Sequence, residues 1–337
     1  MTATFRRRTA IVHLAGLATG FAAMLGGVFP AAAQAQTAGW PNRPIRILIP
    51  YGAGSSPDVF ARIVAEKIGP KLGQQVLVEN RAGAGGNTGT GQIAKSPGDG
   101  YTFVVSTNGP LVYNTVLYKK LGYDPFTELR PVVFGGSQAN VCAVRSDSGI
   151  NSLSDLVAAM KANPGKFNFA STGVGSLSHL GVELLKAKTN TFAVHIPYAS
   201  SPLAILALLQ GDVQFACVPA VAVMPQVKAG KLRPLAVSTA KRSALTPEIP
   251  TLREAGLPEI ENQAWMAVMA PAGTPNEIVE RMNQEINAAL QLPEVKEKLA
   301  AQFMEPVGGT SAELQAFMRK ELQVMTPIIK RSGATAD

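Results

Sequence analysis

Charge is scarce in this 337-residue chain: Asp, Glu, Lys and Arg together make up 16%, and aromatic residues only 6%. With 46% hydrophobic residues, that composition excludes an intrinsically disordered polyelectrolyte. Two cysteines are too few for a disulfide-stapled scaffold of this length. Three histidines, one of them at position 13, are too few for a zinc or other transition-metal cluster, so no metal is expected. Nucleotide cofactors are excluded in the same way. No G-x-x-x-x-G-K-[ST] run occurs, and Gly89-Thr90-Gly91-Gln92-Ile93-Ala94 fits G-x-G-x-x-A with no strand directly before it and no acid at the required distance. The G-x-S-x-G elbow of serine hydrolases is missing too.

One long hydrophobic run is present, and it sits at the start. Arg6, Arg7 and Arg8 precede the apolar stretch Ala10 to Phe29, followed by Pro30 and Ala31-Ala32-Ala33-Gln34-Ala35. A basic head, an apolar middle and an A-x-A site are the parts of a secretory signal peptide, so residues 1–35 are expected to be removed at export, by the general or the twin-arginine route. Their loss takes three arginines and no acid, lowering the formal net charge from +8 to +5. No basic run with interleaved aromatics remains, so nucleic acid is not an expected partner. Cys142 and Cys217 lie in the apolar runs Val141-Cys142-Ala143-Val144 and Phe215-Ala216-Cys217-Val218 and read as buried free thiols acting as small hydrophobes. An oxidising compartment would also permit one disulfide.

Short apolar runs alternate with helical patterns. Ile45–Pro50, Gln75–Glu79, Tyr101–Ser106, Phe167–Ala170, Val194–Pro197, Val213–Val218 and Leu232–Ser238 read as strands. Val59–Ile68, His179–Lys188 and Pro202–Gln210 read as helices. After Pro275, Ile278, Met282, Ile286 and Leu290 recur on one helical face, Pro293 opens another helix and Ser311 a last one. The alternation predicts an α/β fold with parallel sheets.

Between strands and helices lie small, polar, glycine-bearing loops: Pro50 to Asp58, Asn80 to Gly89, Ser171 to Ser178 and Tyr198 to Pro202. Such loops can expose backbone N–H groups at helix N-termini, where unsatisfied donors and the helix dipole favour an anion. Their place at strand carboxyl ends is where open α/β sheets put ligands. An enzymatic alternative rests on Ser238-Thr239-Ala240-Lys241, an S-x-x-K run that would supply an exported hydrolase or acyltransferase with Ser238 and Lys241. Its companions S-D-N and K-T-G are absent, and Ser176 and Ser178 beside His179 need not form a nucleophile–base pair.

Taken in order, Pro50 to Arg62, Asn80 to Gly89, Ser171 to Leu180, His195-Ile196-Pro197-Tyr198, Gly230 to Val237, Pro247 to Gly256, Trp265 and Ala270 to Pro275 strongly resemble the periplasmic solute-binding proteins of tripartite tricarboxylate transporters, the Bug (TctC-like) type. The resemblance covers Trp40 to Asp337. It implies a periplasmic-binding-protein-like (type II) Venus flytrap. Each of its two lobes would be a mostly parallel sheet flanked by helices, with no catalytic residues and no cofactor. Lobe 1 would comprise residues 40–136 and 265–337 and lobe 2 residues 137–264, joined by hinge strands at Val132–Val144 and Asn262–Ala270. Its partners would be a small carboxylate and the permease subunits of the transporter, with the protein monomeric in the periplasm. A ligand sensor for a membrane kinase would use the same pocket.

The resemblance also implies where the ligand sits. In the first loop, Tyr51, Gly52, Ala53, Gly54, Ser55, Ser56 and Asp58 match a Gly-Gly-x-x-Asp segment in which Ser55 replaces the second glycine. Asp58 is expected to cap and fix the loop rather than touch an anion. Gly86 and Asn87 in the second loop, and Thr107 and Asn108 after the third strand, would add contacts. Ser171, Thr172, Gly173, Gly175 and Ser176 match the carboxylate loop of lobe 2, with His179 either a contact or a structural histidine. Tyr198, Ala199 and Ser200 would wall the pocket, and Val218 stands where relatives often carry Asp, which disfavours amino-acid ligands.

Overall fold

The computed structural model describes residues 39–257, 263–332 and 334, so the export segment and Asn262 of the second hinge strand lie outside the described residues. In chain order the elements are β1 (Ile45–Ile49), α1 (Ser56–Leu72), β2 (Val76–Asn80), α2 (Asn87–Ala94), β3 (Thr102–Thr107), α3 (Asn114–Leu117), β4 (Leu129–Gln138) and β5 (Asn140–Arg145). They continue as α4 (Leu153–Ala162), β6 (Asn168–Ser171), α5 (Leu177–Thr189), β7 (Val194–Pro197), α6 (Ser201–Gln210), β8 (Phe215–Pro219), α7 (Ala220–Lys228) and β9 (Leu232–Val237). The chain closes with β10 (Ala264–Pro271), α8 (Asn276–Gln291), α9 (Pro293–Ala300), β11 (Glu305–Pro306) and α10 (Ser311–Ser332). Between β3 and α3 the residues Gly109–Tyr113 form one wide π-type turn.

Two sheets organise these elements, a six-stranded one in the order β11-β4-β10-β3-β1-β2 and a five-stranded one in the order β7-β6-β8-β5-β9. The expected parallel pairing holds for β2, β1 and β3 and for β7, β6 and β8. The strands next to the crossings run antiparallel: β10 against β3 and β4, and β5 against β8 and β9. Each sheet is therefore mixed rather than mostly parallel. The chain passes from one sheet to the other at Ala139, so the expected hinge strand Val132–Val144 is two strands, one in each sheet.

Both faces of both sheets are covered, which explains why the strands read as apolar runs without strict alternation. Along β1, Ile45, Ile47 and Ile49 enter one core and Leu48 the other; along β10, Met266, Val268 and Ala270 oppose Trp265, Ala267 and Met269. The second sheet divides similarly, with Val141 and Ala143 on one side of β5 and Cys142 and Val144 on the other. Each fully buried Ile, Val or Phe stabilises the fold by roughly 1.5–3 kcal/mol before entropy is counted.

The free-thiol reading of the cysteines is corrected by the structure. Cys142 of β5 and Cys217 of β8 stand directly opposite each other in the antiparallel ladder and form a disulfide. Neither run showed by itself that its cysteine faces the other, because that depends on two strands 75 residues apart becoming neighbours.

Candidate functional site

The carboxyl ends of β1, β3, β6, β7 and β8 point at one cavity, whose atom-free space, its opening to solvent included, is about 490 Å³. Helices begin at its walls. Ser55 and Ser56 start α1, Ser176 and Leu177 start α5, Ser200 and Ser201 start α6, and Pro219 precedes α7. Each brings unsatisfied backbone N–H groups and the positive end of a helix dipole. Four such ends meet around one volume, and none of the described residues lining it is charged.

How the serines are used differs between helices. Ser176 caps α5 by accepting from the His179 N–H at 3.3 Å and donates to the Gly173 carbonyl at 2.7 Å. Ser200 caps α6 through the Leu203 N–H. By contrast Ser55, at the N-cap of α1, makes no capping bond, and the hydroxyls of Ser55, Ser56 and Ser201 have no hydrogen-bond partner in the protein. Gln138 Oε1 and Asn140 Oδ1, on either side of the crossing at Ala139, are likewise buried and unpaired. An unsatisfied buried polar atom costs about 1–3 kcal/mol, so five around one cavity form an array suited to a polar guest. Apolar walls complete it: Pro57, Leu177, Pro219, Ala264, Trp265 and Met266.

Asp58 holds the first loop. It is only 3% exposed, and its carboxylate accepts from the Gly54 N–H, Asn80 Nδ2 and Arg62 Nε at 2.9, 2.9 and 3.0 Å. Burial pushes its pKa up, but the bonds from Arg62, the Gly54 amide and Asn80 outweigh it and keep the group below the usual carboxylate range. Tyr51 lines the cavity with its hydroxyl tied to Thr107 Oγ1 at 2.6 Å and donating to the Gly85 carbonyl.

The loop Ser171–Ser176 is braced from behind by two histidines. The His195 and His179 rings stack at 4.0 Å, and Phe169 stacks on His195 at 4.9 Å. A His195 ring nitrogen shares a hydrogen bond with Ser171 Oγ, which accepts the Gly173 N–H, and His179 Nδ1 accepts the Gly175 N–H. Burial, together with the Lys186 charge, lowers the His179 pKa to about 4. Burial, His179 and Lys186 bring His195 to about 3, so both rings are neutral at pH 7.

Of the residues singled out from the sequence, Tyr51, Ser55, Ser56, Thr107, Asn108, Thr172, Ser176 and Ser200 line the cavity. Others stand behind or beside it. Asn87 Oδ1 accepts from Asn114 Nδ2 and the Tyr123 hydroxyl, Ser171 serves its own loop, Tyr198 is half-buried beside the loop, and Val218 is buried in β8. Ala53 is exposed at the loop tip. The glycines have a second use. Gly52 N–H donates to the Ala199 carbonyl of the opposite loop at 3.1 Å. A Cβ on Gly85 would lie 2.2 Å from the Val174 carbonyl oxygen, and one on Gly173 2.6 Å from the Gly85 Cα. Gly175 faces Asn114 just as closely, and Gly86 leaves no room beside the Tyr51 hydroxyl. Backbone therefore meets backbone where the loops of the two sheets close on each other.

Sequence reasoning missed Gln138, Asn140, Ser178, Ser201 and the wall of Ala264, Trp265 and Met266. Polar Gln138 and Asn140 inside an otherwise apolar strand run were the available signal. Ser238 and Lys241 form no site. Ser238 Oγ accepts the Asn140 N–H at 3.2 Å, outside the cavity lining, while Lys241 is exposed.

Residues 60–334 match the family described as the tripartite tricarboxylate transporter family receptor. The chain belongs to that family. Among its relatives, BugT of Bordetella pertussis is 38% identical over 88% of this chain and 91% of its own length. Among solved structures, R. palustris Rpa4515 with adipate is 33% identical with a TM-score of 0.85, covering 88% of this chain and 99% of that one. The periplasmic binding protein BugD is 30% identical at a TM-score of 0.84, over 88% and 99%. MatC from Rhodopseudomonas palustris, with bound malate, is 26% identical at 0.83, over 86% and 100%. The tripartite transporter receptors are two-lobed periplasmic solute-binding proteins rather than enzymes, and the two sheets here have that architecture. Among the described residues no helix is long and apolar enough to cross a membrane.

Proposed function

We propose that this receptor captures a small carboxylate with an apolar middle, a dicarboxylate or an aromatic acid, and delivers it to the permease of a tripartite transporter. One observation carries the reading: four helix N-termini and three unpartnered serine hydroxyls surround a cavity whose described lining has no charged side chain. An anion there would be held by backbone dipoles and hydroxyl donors, which are strengthened once water is excluded. The apolar wall of Leu177, Trp265 and Met266 suits a hydrocarbon segment between or beside carboxylates. Adipate and malate in the related structures support this ligand class.

In this reading lobe 1 comprises residues 40–136 and 265–337 and lobe 2 residues 137–264, a division supported by the break between β4 and β5 at Ala139, close to the first boundary. The protein acts as a periplasmic monomer after cleavage near Ala35, and the lobes swing about the β4–β5 crossing and β10. Thermal shift against mono-, di- and tricarboxylates tests it, since a ligand at 100 times its Kd stabilises by about 2.7 kcal/mol. A panel in which no carboxylate raises the melting temperature refutes the reading.

A further inference from the structure

Behind the cavity wall lies a polar relay that reaches the outer helix α10. Asn108 and Trp265 both line the cavity. The Asn108 side-chain N–H₂ donates to the Gln263 carbonyl and to the Tyr113 hydroxyl, each at 3.2 Å, and that hydroxyl donates to Glu321 Oε1. The same carboxylate oxygen accepts the Trp265 indole N–H at 2.9 Å. Tyr113 is 1% exposed and is not part of the cavity lining. Glu321 faces the far side, a surface groove that it shares with Phe134, Phe317 and Lys320 and whose floor includes the other side of Trp265. The indole is thus fixed between two volumes by a hydrogen bond at its nitrogen, by an edge contact to Phe317 and by a tilted contact to Phe134, with ring centres 5.4 and 5.6 Å away.

We propose that Glu321 is a positioning residue for ligand recognition: from outside the cavity it holds Trp265 directly, and Asn108 through Tyr113, in the orientations that shape the wall. The inference rests on the carboxylate-receptor reading above and deepens it. A carboxylate here is otherwise unfavourable. Burial pushes the Glu321 pKa up, and the bonds from Tyr113 and Trp265 pull it back only in part. Core packing of α10 alone has no need of such a group, because Leu314, Met318 and Met325 already bury its inner face. An acceptor serving two donors, the cavity-wall indole of Trp265 and the Tyr113 hydroxyl behind Asn108, accounts for a carboxylate at this place.

Isothermal titration of the full mature chain with adipate and with malate tests the assignment, using wild type, E321A, E321Q, Y113F, the E321A/Y113F pair and K320A. Losing the shared acceptor weakens the better-bound probe about five- to tenfold in E321A, as expected for one to two hydrogen bonds. E321Q keeps a carbonyl oxygen at the same place and stays within about threefold of wild type. Y113F leaves Asn108 only its bond to the Gln263 carbonyl, keeps the Trp265 bond to Glu321 and costs about threefold, and the double variant binds no worse than E321A, since both act on one relay. K320A, in the same groove but outside the relay, binds as wild type.

E321A or Y113F binding like wild type overturns the proposal. So does E321Q losing as much as E321A, or losses that multiply in the double variant. If E321A does not melt cooperatively, Y113F and E321Q decide by the same criteria. Wild type binding no carboxylate in the panel overturns the receptor reading itself, an outcome distinct from wild-type binding that the variants leave untouched.

Discussion

Replacing Gly85 with alanine separates folding from closure. Gly85 has φ 62° and ψ 22°, the left-handed region, where an L-residue costs about 1–2 kcal/mol. Reduced freedom of the unfolded chain returns about 0.4–1 kcal/mol, so G85A should lose only about 1 kcal/mol of stability. Closure is affected far more. The new Cβ would lie 2.2 Å from the Val174 carbonyl oxygen, about 1 Å inside van der Waals contact, and the obstacle is backbone rather than a side chain that can rotate away. The loops must part, losing the Gly52–Ala199 and Tyr118–Val174 hydrogen bonds that join them. At about 1 kcal/mol for each bond, plus water admitted to the cavity, closure loses about 2–3 kcal/mol and affinity falls about 30- to 150-fold. Titration with adipate and malate reads the loss, and small-angle scattering with and without these acids reads the failure to compact. G73A is the control: Gly73 has nearly the same φ, 67°, but nothing within 4 Å of its Cβ position, so it carries the backbone cost without the obstruction. G85A binding within threefold of wild type while remaining folded would refute the reasoning.

Four further outcomes are expected. His179 and His195 stay neutral when folded, with pKa values near 4 and 3, while the unfolded chain takes up protons below about pH 6.5. Stability is therefore full above pH 6.5 and falls as pH drops toward about 4 for His179 and about 3 for His195, by up to about 1.4 kcal/mol per unit for each ring. Urea melts at pH 7, 6 and 5 measure this, and His195→Phe should make the slope shallower. Ser55→Ala and Ser56→Ala remove hydroxyls that bond nothing in the protein, so melting should show each raising stability, by up to about 1–3 kcal/mol, while carboxylate affinity falls about fivefold. Reducing the disulfide or replacing both cysteines by serine should cost about 2–4 kcal/mol, read as a lower melting temperature; an unchanged one would mean that the bond contributes nothing. Asp58→Asn, which weakens the bracing of the first loop, should destabilise the fold by about 1–3 kcal/mol and erase the acid sensitivity due to that carboxylate.

Much of the fold was legible because its strands are buried on both faces and its helices carry local signals. Ile45–Pro50 reads as a strand from an apolar run, and α8 from the spacing of Ile278, Met282, Ile286 and Leu290. Some missed helices had readable signals too. Ser152 accepts from the Asp155 N–H while Asp155 accepts from the Asn151 N–H, so Ser152-Leu153-Ser154-Asp155 announces α4. Pro225 inside α7 hid that helix, and the glycines of Asn87–Ala94 hid α2. The site was half legible for a related reason. Loops rich in glycine and serine at strand ends are a local feature. Gln138, Asn140 and Trp265 reach the cavity only because the chain crosses between the sheets there, and the disulfide depends on the same long-range pairing. Periodicity within a window of 11–18 residues carries no information about such partners.

The neutral cavity divides the labour between main chain and side chains. Amides at the starts of α1, α5 and α6 are present whatever side chains those positions carry, so the proposed grip on a carboxylate survives substitution as long as the turns keep their shape. The outline of the guest is written instead in Leu177, Trp265, Met266 and the residues that steady them. Exchanging a few of these walls would retune the protein to another acid without rebuilding the means of holding it. A lineage built on this plan can change its diet by repapering one room.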